Sequence, residues 1–544
     1  MVTKYDNEND HGSDIQADVI VLGCSLPGIV TAHKLKRKFG DTMDIVVIDL
    51  ANGPTKGMSK IDMVTFFEDE DKKDEGTEVV QYSLENYSRR FLLMYAKEFN
   101  ITIPDAILYP TAIPSLNKLF EYPNGSTVQC TNSFHDFDYL NALEKFELNQ
   151  YQRLIDESMR NLFRATKGNQ EYERQKLFYY DRTNMEDHIC SALLFSTSRE
   201  IMRTLVRLVC GVPASSVSVL FYLHQCYRNN GCRDYMDGSN TKFREKLLGY
   251  CRKRLARKLQ ESVADITLEA KSIIEIRTHS HEQVILETMK GENNYVCRLL
   301  AMALRPDQLH KIHVEPVLLS ERNSEVAGLM LPGRVKKFTI QYDNDFWRAE
   351  GFSGEILSIR GPIVWAMERP AMSGTGSKTR FSYLVGYLMG KQDSMDSRKE
   401  VIEQLVRLFG ECAANPVSYK ESDVEDLFVP RCGDYVALKT WTKKQSLKLV
   451  EWGALDVYRD GDITEALEAG HSAYIRLSSW LRPQAQGFDD VSTVEYRSNI
   501  RGNFCSRVLS QINIIKGMSL VVYTAALYLG IRLVKSHLKQ LRGN

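Results

Sequence analysis

One glycine-containing turn and one acid stand closest to a recognisable chemistry. The run GCSLPG sets Gly23, Ser25 and Gly28 at the spacing G-x-G-x-x-G, with serine at the middle position. In a dinucleotide-binding turn the first glycine makes the bend, the second lets backbone approach a pyrophosphate, and the third lets helix pack on strand. Asp49 lies 21 residues beyond Gly28, where a carboxylate would accept ribose hydroxyls. Two glycines of three fit plain α/β packing equally well. Other polar groupings are weaker. His279 and His281, and His310 and His313, form no grouping with cysteine at metal-ligand spacing and read as exposed turn residues, so no metal site is expected. The eleven cysteines are scattered and odd in number, without a CxxC pair, which fits free thiols in a reducing compartment.

The elements around the turn have the required order. Asp18–Leu22 (DVIVL) is a short apolar run typical of a buried parallel strand, Ile29–Phe39 has helical spacing, and MDIVVID, ending at Asp49, is a second buried strand. Together they make a βαβ unit. Beyond it, Glu68–Glu75 (EDEDKKDE) reads as a solvated loop. Tyr87–Asn100, Asp138–Lys167 and much of Arg199–Tyr227 read as helices. Ile266–Thr278 and Gln283–Thr288 alternate as paired strands, and Arg334–Trp347 reads as a strand ending in aromatics. Helices resume at Ser397–Ala413 and Ile463–Leu477.

Composition sets the outer bounds. The 544 residues are 43% apolar and 26% charged, enough for two to four domain-sized cores. Basic and acidic residues balance at 70 each, so no global field favours nucleic acid, and no nucleic-acid partner is expected. The locally basic stretch Thr241–Gln260 reads as a solvated helix face. Met1–Ala17 is polar and acidic, unlike a signal peptide.

The carboxyl end differs. Gly517–Ile531 (GMSLVVYTAALYLGI) carries no charge and is flanked by Lys516, Arg532 and Lys535; after Glu495 the chain holds eight basic residues and no acid. Fifteen helical residues reach roughly 22 Å, and snorkelling of Lys516 and Arg532 with Leu533 and Val534 added closes much of the gap to about 30 Å. The expectation is a tail anchor through residues 517–534, facing the cytosol, with the mitochondrial outer membrane as its site.

The order of these pieces resembles the flavin-dependent amine oxidases, closest to the monoamine oxidase branch. The resemblance runs from about Ala17 to Leu477 and is carried by VIVLGCSLPGIVTAHKL, REIMRTLVRLVCGVPASSVSVLFYLHQC, RVKKFTIQYDNDFWRAEGFSG, and FVPRCGDY followed by ITEALEAGHSA. It implies an α/β fold, with a Rossmann-like FAD-binding domain, a mixed α+β substrate domain and the C-terminal membrane helix. By that likeness 1–14 are disordered, and 15–85, 240–305 and 425–480 form a discontinuous FAD-binding domain. Residues 86–239 and 306–424 form the substrate domain, 481–510 connect, and 511–535 anchor. FAD is the implied cofactor and a small amine the implied substrate. Lys337, ten residues before Trp347, matches the lysine that holds a water against flavin N5. Cys432 matches the cysteine that monoamine oxidases link to the flavin; a buried small hydrophobe is its alternative.

Other matched positions have changed. After Asp49 the chain reads LANGPTKGM, with Gly57 the one glycine matched and Met58 where the family has arginine. Near Gln81–Leu84 (QYSL) a glycine pair is lost. Gly453 precedes Ala454 and Leu455 where the family has Gly-Thr-Glu. The two aromatics that flank an amine match Gly433 and Asp462, leaving Tyr435 as the one ring that could substitute. Two functions follow as expectations: a membrane-anchored family member with weak or no amine oxidation that serves as an interaction platform, or an active FAD-dependent oxidase with an altered pocket.

Overall fold

The structure, a computed structural model, describes residues 14–50, 87–102, 116–163, 170–228, 254–255, 257–289, 292–304, 312–315, 318, 330–333, 335–368, 381–388, 397–423, 428–437, 449–452, 463–482, 519 and 522–534. The chain opens with strand β1 (Ile15–Leu22), helix α1 (Leu26–Phe39) and strand β2 (Ile45–Leu50). Helix α2 (Tyr87–Glu98) and the hairpin β3 (Asn117–Glu121) and β4 (Thr127–Cys130) follow. Five helices come next: α3 (Ala142–Phe163), α4 (Gln170–Arg182), α5 (Met185–Ala192), α6 (Ser196–Cys210) and α7 (Val219–Arg228). Strands β5 (Thr267–Lys271), β6 (Ile273–Ser280), β7 (Gln283–Thr288), β8 (Tyr295–Met302), β9 (His313–Val314) and β10 (Met330–Pro332) lead to β11 (Lys336–Tyr342). Then come α8 (Phe346–Ala349), β12 (Phe352–Ser358), β13 (Ile363–Glu368), β14 (Ser382–Leu388), α9 (Ser397–Phe409) and β15 (Ser418–Asp423). The last described elements before the tail are β16 (Phe428–Pro430), β17 (Val450–Glu451) and α10 (Ile463–Leu481).

Two large sheets organise most of these elements, and β10 and β16 pair separately. The first runs β5-β2-β1-β8-β7-β6-β9, with β17 also on β8. Its centre is parallel: Val19 pairs with Ile45 on one side and Leu299 on the other. A parallel strand covered on both faces must be apolar on both, and Val19, Ile20, Val21 and Leu22 are all fully buried. Their side chains alternate between two cores. Val19 and Val21 join Ile29, Val30 and Leu35 of α1, Leu92 and Tyr95 of α2 and Leu467 of α10. Ile20 and Leu22 face the larger core that reaches into the helices α3–α7. The second sheet runs β15-β11-β14-β13-β12-β3-β4. Phe338, Ile340 and Tyr342 on one face of β11 pack with Val401 and Leu405 of α9. Burying each such side chain contributes about 1.5–3 kcal/mol.

Several expected boundaries shift for local reasons. The stretch Ile266–Thr278 is extended but divides at Ser272, so that β5 pairs with β2 and β6 pairs with β7. Helix α3 starts at Ala142, because the Asn141 side chain accepts the N–H groups of Leu143 and Glu144. Strand β11 stops at Tyr342, and the aromatics after it form the short helix α8, with Trp347 fully buried. Gly410, at φ +83°, ends α9 and leaves a separate 3-10 turn at Glu411–Ala413. Strand β9 pairs with β6, so the first sheet extends past the boundary drawn at residue 305.

The membrane helix expected at the carboxyl end is not shown. Among the described residues no helix is long and apolar enough to cross a membrane. Residues 522–534 are helical, with apolar side chains exposed to solvent, Tyr523 by 74% and Leu533 by 69%. The loop at Glu68–Glu75 and most of Thr241–Gln260 lie outside the described residues.

A charged joint fastens α1 to α2. Glu98 accepts His33 Nε2 at 2.8 Å and Lys34 Nζ at 2.5 Å, and pairs with Arg37 as well. Burial alone would raise its pKa, but the bonds from His33 and Lys34 outweigh it and hold the carboxyl down to about 2. A depressed carboxyl stabilises the fold above the ordinary range and loses that contribution as it protonates. The urea midpoint is therefore expected to fall as pH drops from about 4.5 to about 2, and Glu98→Gln is expected to flatten that part of the curve. An equally steep decline in Glu98→Gln would assign it to other groups.

Candidate functional site

Four of the sequence-identified residues converge at the carboxyl end of β1 and β2. Gly23, at φ +109°, donates its N–H to Ile48 O at 2.7 Å, and a Cβ there would sit 2.5 Å from Ala303 O. Only glycine fits. A Cβ on Gly28 would sit 2.3 Å from Gly23 O and 2.9 Å from Ala303 Cβ, so α1 lies directly on the turn. Asp49 Oδ1 accepts the N–H of Leu50 at 3.0 Å, and its carboxylate also takes a bond from the Cys24 N–H. Burial holds the Asp49 carboxyl above its ordinary value, while burial and Asp49 push the Cys24 thiol up to about 12. Cys24 is thus an inert filler beside an acid that faces the turn.

Ser25 adds something the motif alone does not show. Its hydroxyl donates to Ala303 O at 2.7 Å and makes no cap bond to α1. Ser25→Gly would therefore remove a tie between the turn and the end of β8 along with the side chain. Pro27 stands in the first turn of α1, where it suits the backbone but supplies no N–H. The first turn carries no acid, so its dipole remains available to an anion. Helix α10 closes the other side of α1: Thr31 Oγ1 donates to Pro27 O at 2.8 Å and to Gly470 O at 3.1 Å.

A second group comes from the turn after β16. Cys432 Sγ donates to Asp181 O at 3.4 Å, and Gly433, at φ +99°, donates its N–H to the same carbonyl at 2.7 Å. A Cβ on Gly433 would meet nothing within 4 Å. Tyr435 is 3% exposed: its hydroxyl lies 2.5 Å from His224 Nδ1 and its ring meets Phe221 edge-on, with centroids 5.3 Å apart. Its ring is thus packed against α7.

Lys337 sits on β11, opposite Tyr387 of β14 and Ser422 of β15. Strand alternation puts it on the face opposite Phe338 and Ile340, where it is buried. Trp365 of β13 pairs with Tyr387, and their rings are 6.0 Å apart. Lys337, Tyr387 and Trp365 therefore form one row across three strands. Neither aromatic could be singled out from the sequence, because their place beside Lys337 depends on strand pairings 28 and 50 residues away. Gly57, Gly453 and Asp462 lie outside the described residues, and no group of three or more possible metal ligands occurs among those described.

The family model for flavin containing amine oxidoreductases matches residues 74–437, and the chain belongs to that family. Its curated relatives include the probable flavin-containing monoamine oxidase A of Dictyostelium discoideum, 26% identical over 35% of this chain and 41% of that protein. The amine oxidase [flavin-containing] A of Bos taurus is 22% identical over 56% of this chain and 57% of its own length. The chain thus spans only about half the length of these relatives. Among solved structures, wild-type putrescine oxidase bound to putrescine superposes with TM-score 0.64 at 14% identity, covering 86% of this chain and 99% of that one. The cyclohexylamine oxidase of Brevibacterium oxydans gives 0.61 at 16% identity, over 86% and 99%. These likenesses give the fold.

Membership implies FAD as the cofactor. The described residues fit it: the turn Gly23–Gly28 brings backbone and a helix N-terminus together, and Asp49 sets a carboxylate beside them. Pro27 leaves one amide donor fewer. Bound FAD supplies the two-electron acceptor; the protein supplies binding and orientation.

Proposed function

We propose that this protein is a membrane-anchored member of the flavin amine oxidase family that binds FAD and oxidises common amines weakly or not at all, acting as an interaction platform. The observation that carries this reading is the turn after β16. Gly433 offers no ring, and Tyr435 is committed to His224 and Phe221, so the turn presents no aromatic face to a neutral amine. A misplacement of about 1 Å can cost roughly 100-fold in rate. A second reading, an active oxidase with an altered pocket, is favoured by the row Lys337, Tyr387 and Trp365, which could offer rings from the second sheet instead.

Peroxide release across a panel of aryl amines and polyamines, with FAD supplied, separates the two. The expected result is no measurable turnover by the wild type. Turnover that vanishes in Lys337→Met would restore the oxidase. A Gly433→Tyr repair is a poor test, because φ +99° strains any side chain there.

The exposed apolar helix 522–534 supports an anchor, with basic residues on either side. We place it in the mitochondrial outer membrane with the body in the cytosol. Removing residues 517–544 is expected to move the protein from the carbonate-resistant membrane pellet to the soluble fraction. Pelleting of the truncated chain would put the anchor elsewhere.

A further inference from the structure

The turn that carries Cys432 hangs on a single residue from another part of the chain. Asp181, near the end of α4, is 1% exposed. Its main-chain carbonyl takes the Gly433 N–H and the Cys432 thiol. Its carboxylate takes the Tyr435 N–H at 3.2 Å, the Val436 N–H at 2.9 Å and the Ser218 hydroxyl. Five donors thus converge on one side chain and its own carbonyl, four of them from residues 432–436. Leaving such donors without an acceptor in a buried place is costly, so the shape of the turn depends on Asp181.

The same residue decides what Cys432 can do. A thioether to the flavin ring needs sulfur as a thiolate nucleophile. Here the thiol keeps its proton and donates it in a hydrogen bond to a carbonyl, and the charges of Asp181, Asp187 and Asp434 disfavour a thiolate. Burial first, then these acids, push the thiol above its ordinary value. We propose that Asp181 is the positioning residue of the Cys432–Val436 turn and that, by holding Cys432 as a hydrogen-bond donor, it leaves FAD bound without a thioether. The inference rests on FAD binding as read above.

The test uses the full chain. After loading with FAD and acid precipitation, all flavin is expected in the supernatant and the Cys432 peptide at its unmodified mass; flavin mass on that peptide overturns the proposal. In unloaded protein, iodoacetamide is expected to modify Cys432 at least about tenfold more slowly than exposed Cys412. Asp181→Asn keeps the main-chain carbonyl but sets an NH2 group against one of the Tyr435 and Val436 amides and removes a negative charge, and is expected to loosen the turn and speed Cys432 about tenfold while Cys412 is unchanged. Ser218→Ala, which leaves the turn's own bonds in place, is expected to change neither. An unaltered Cys432 rate in Asp181→Asn overturns the positioning role. Should that variant not fold, amide exchange in the wild type decides: Tyr435 and Val436 are expected to be protected, and exchange at open-loop rates overturns it. If the wild type takes up no FAD, the cofactor reading fails, and the alkylation rates still decide the role of Asp181.

Discussion

Gly28→Ala is expected to lower the stability of the fold by about 3 kcal/mol, the upper part of the range for forcing extra atoms into a packed core. The added methyl would lie 2.3 Å from Gly23 O and 2.9 Å from Ala303 Cβ. Neither can move freely. The Gly23 carbonyl belongs to a turn fixed by the bond from Gly23 N to Ile48 O, and Ala303 is fixed by its N–H to Leu22 O at 2.8 Å. Helix α1 must then lift from the sheet, opening the contacts of Ile29 and Val30 with Val19 and Val21 in the core beneath it. The measurement is the urea midpoint, with the slope checked for change. An unchanged midpoint would mean that helix and turn are not in this contact.

Glu121→Ala is expected to cost about as much for a different reason. Glu121, on β3, is fully buried, and its carboxylate takes Arg407 Nε and Nη2 at 2.8 Å each, Gln404 Nε2 at 2.8 Å and the Ser358 hydroxyl at 2.8 Å. Breaking a buried pair by removing one partner costs about 3–5 kcal/mol. Arg407 is a third exposed and can turn to water, which places this case at the lower end, about 3 kcal/mol. What remains is the cost of Gln404 and Ser358 losing their acceptor. A double-mutant cycle with Arg407→Met checks the division: additive losses would show that the ion pair contributes little and the neutral donors most.

The parts of the site that the sequence displays are the parts built from neighbours in the chain. Gly23, Gly28 and Asp49 are set by one βαβ unit, and the apolar runs on either side suffice to place them. Ser25 was visible as a departure, but not the direction of its hydroxyl, because Ala303 arrives from β8, 278 residues away. Asp181 gave no signal, since nothing in the run FYYDRTN sets that acid apart; only the arrival of residues 432–436 makes it the acceptor for a turn. Trp365 and Tyr387 were equally silent until strand register set them beside Lys337.

The contact between α1 and α10 also bears on how the protein is made. A Cβ on Gly470 would sit 2.5 Å from Pro27 O, so these two helices, some 440 residues apart in sequence, meet nearly backbone to backbone. During synthesis at about 5–20 residues per second the first helix waits at least tens of seconds for its partner. Over that interval Val30 and Thr31 lack the surface that later covers them. High contact order of this kind slows folding and prolongs exposure of apolar surface. Chains that end before Ile463 therefore carry an open flank on α1 and are nascent forms rather than smaller versions of the native protein.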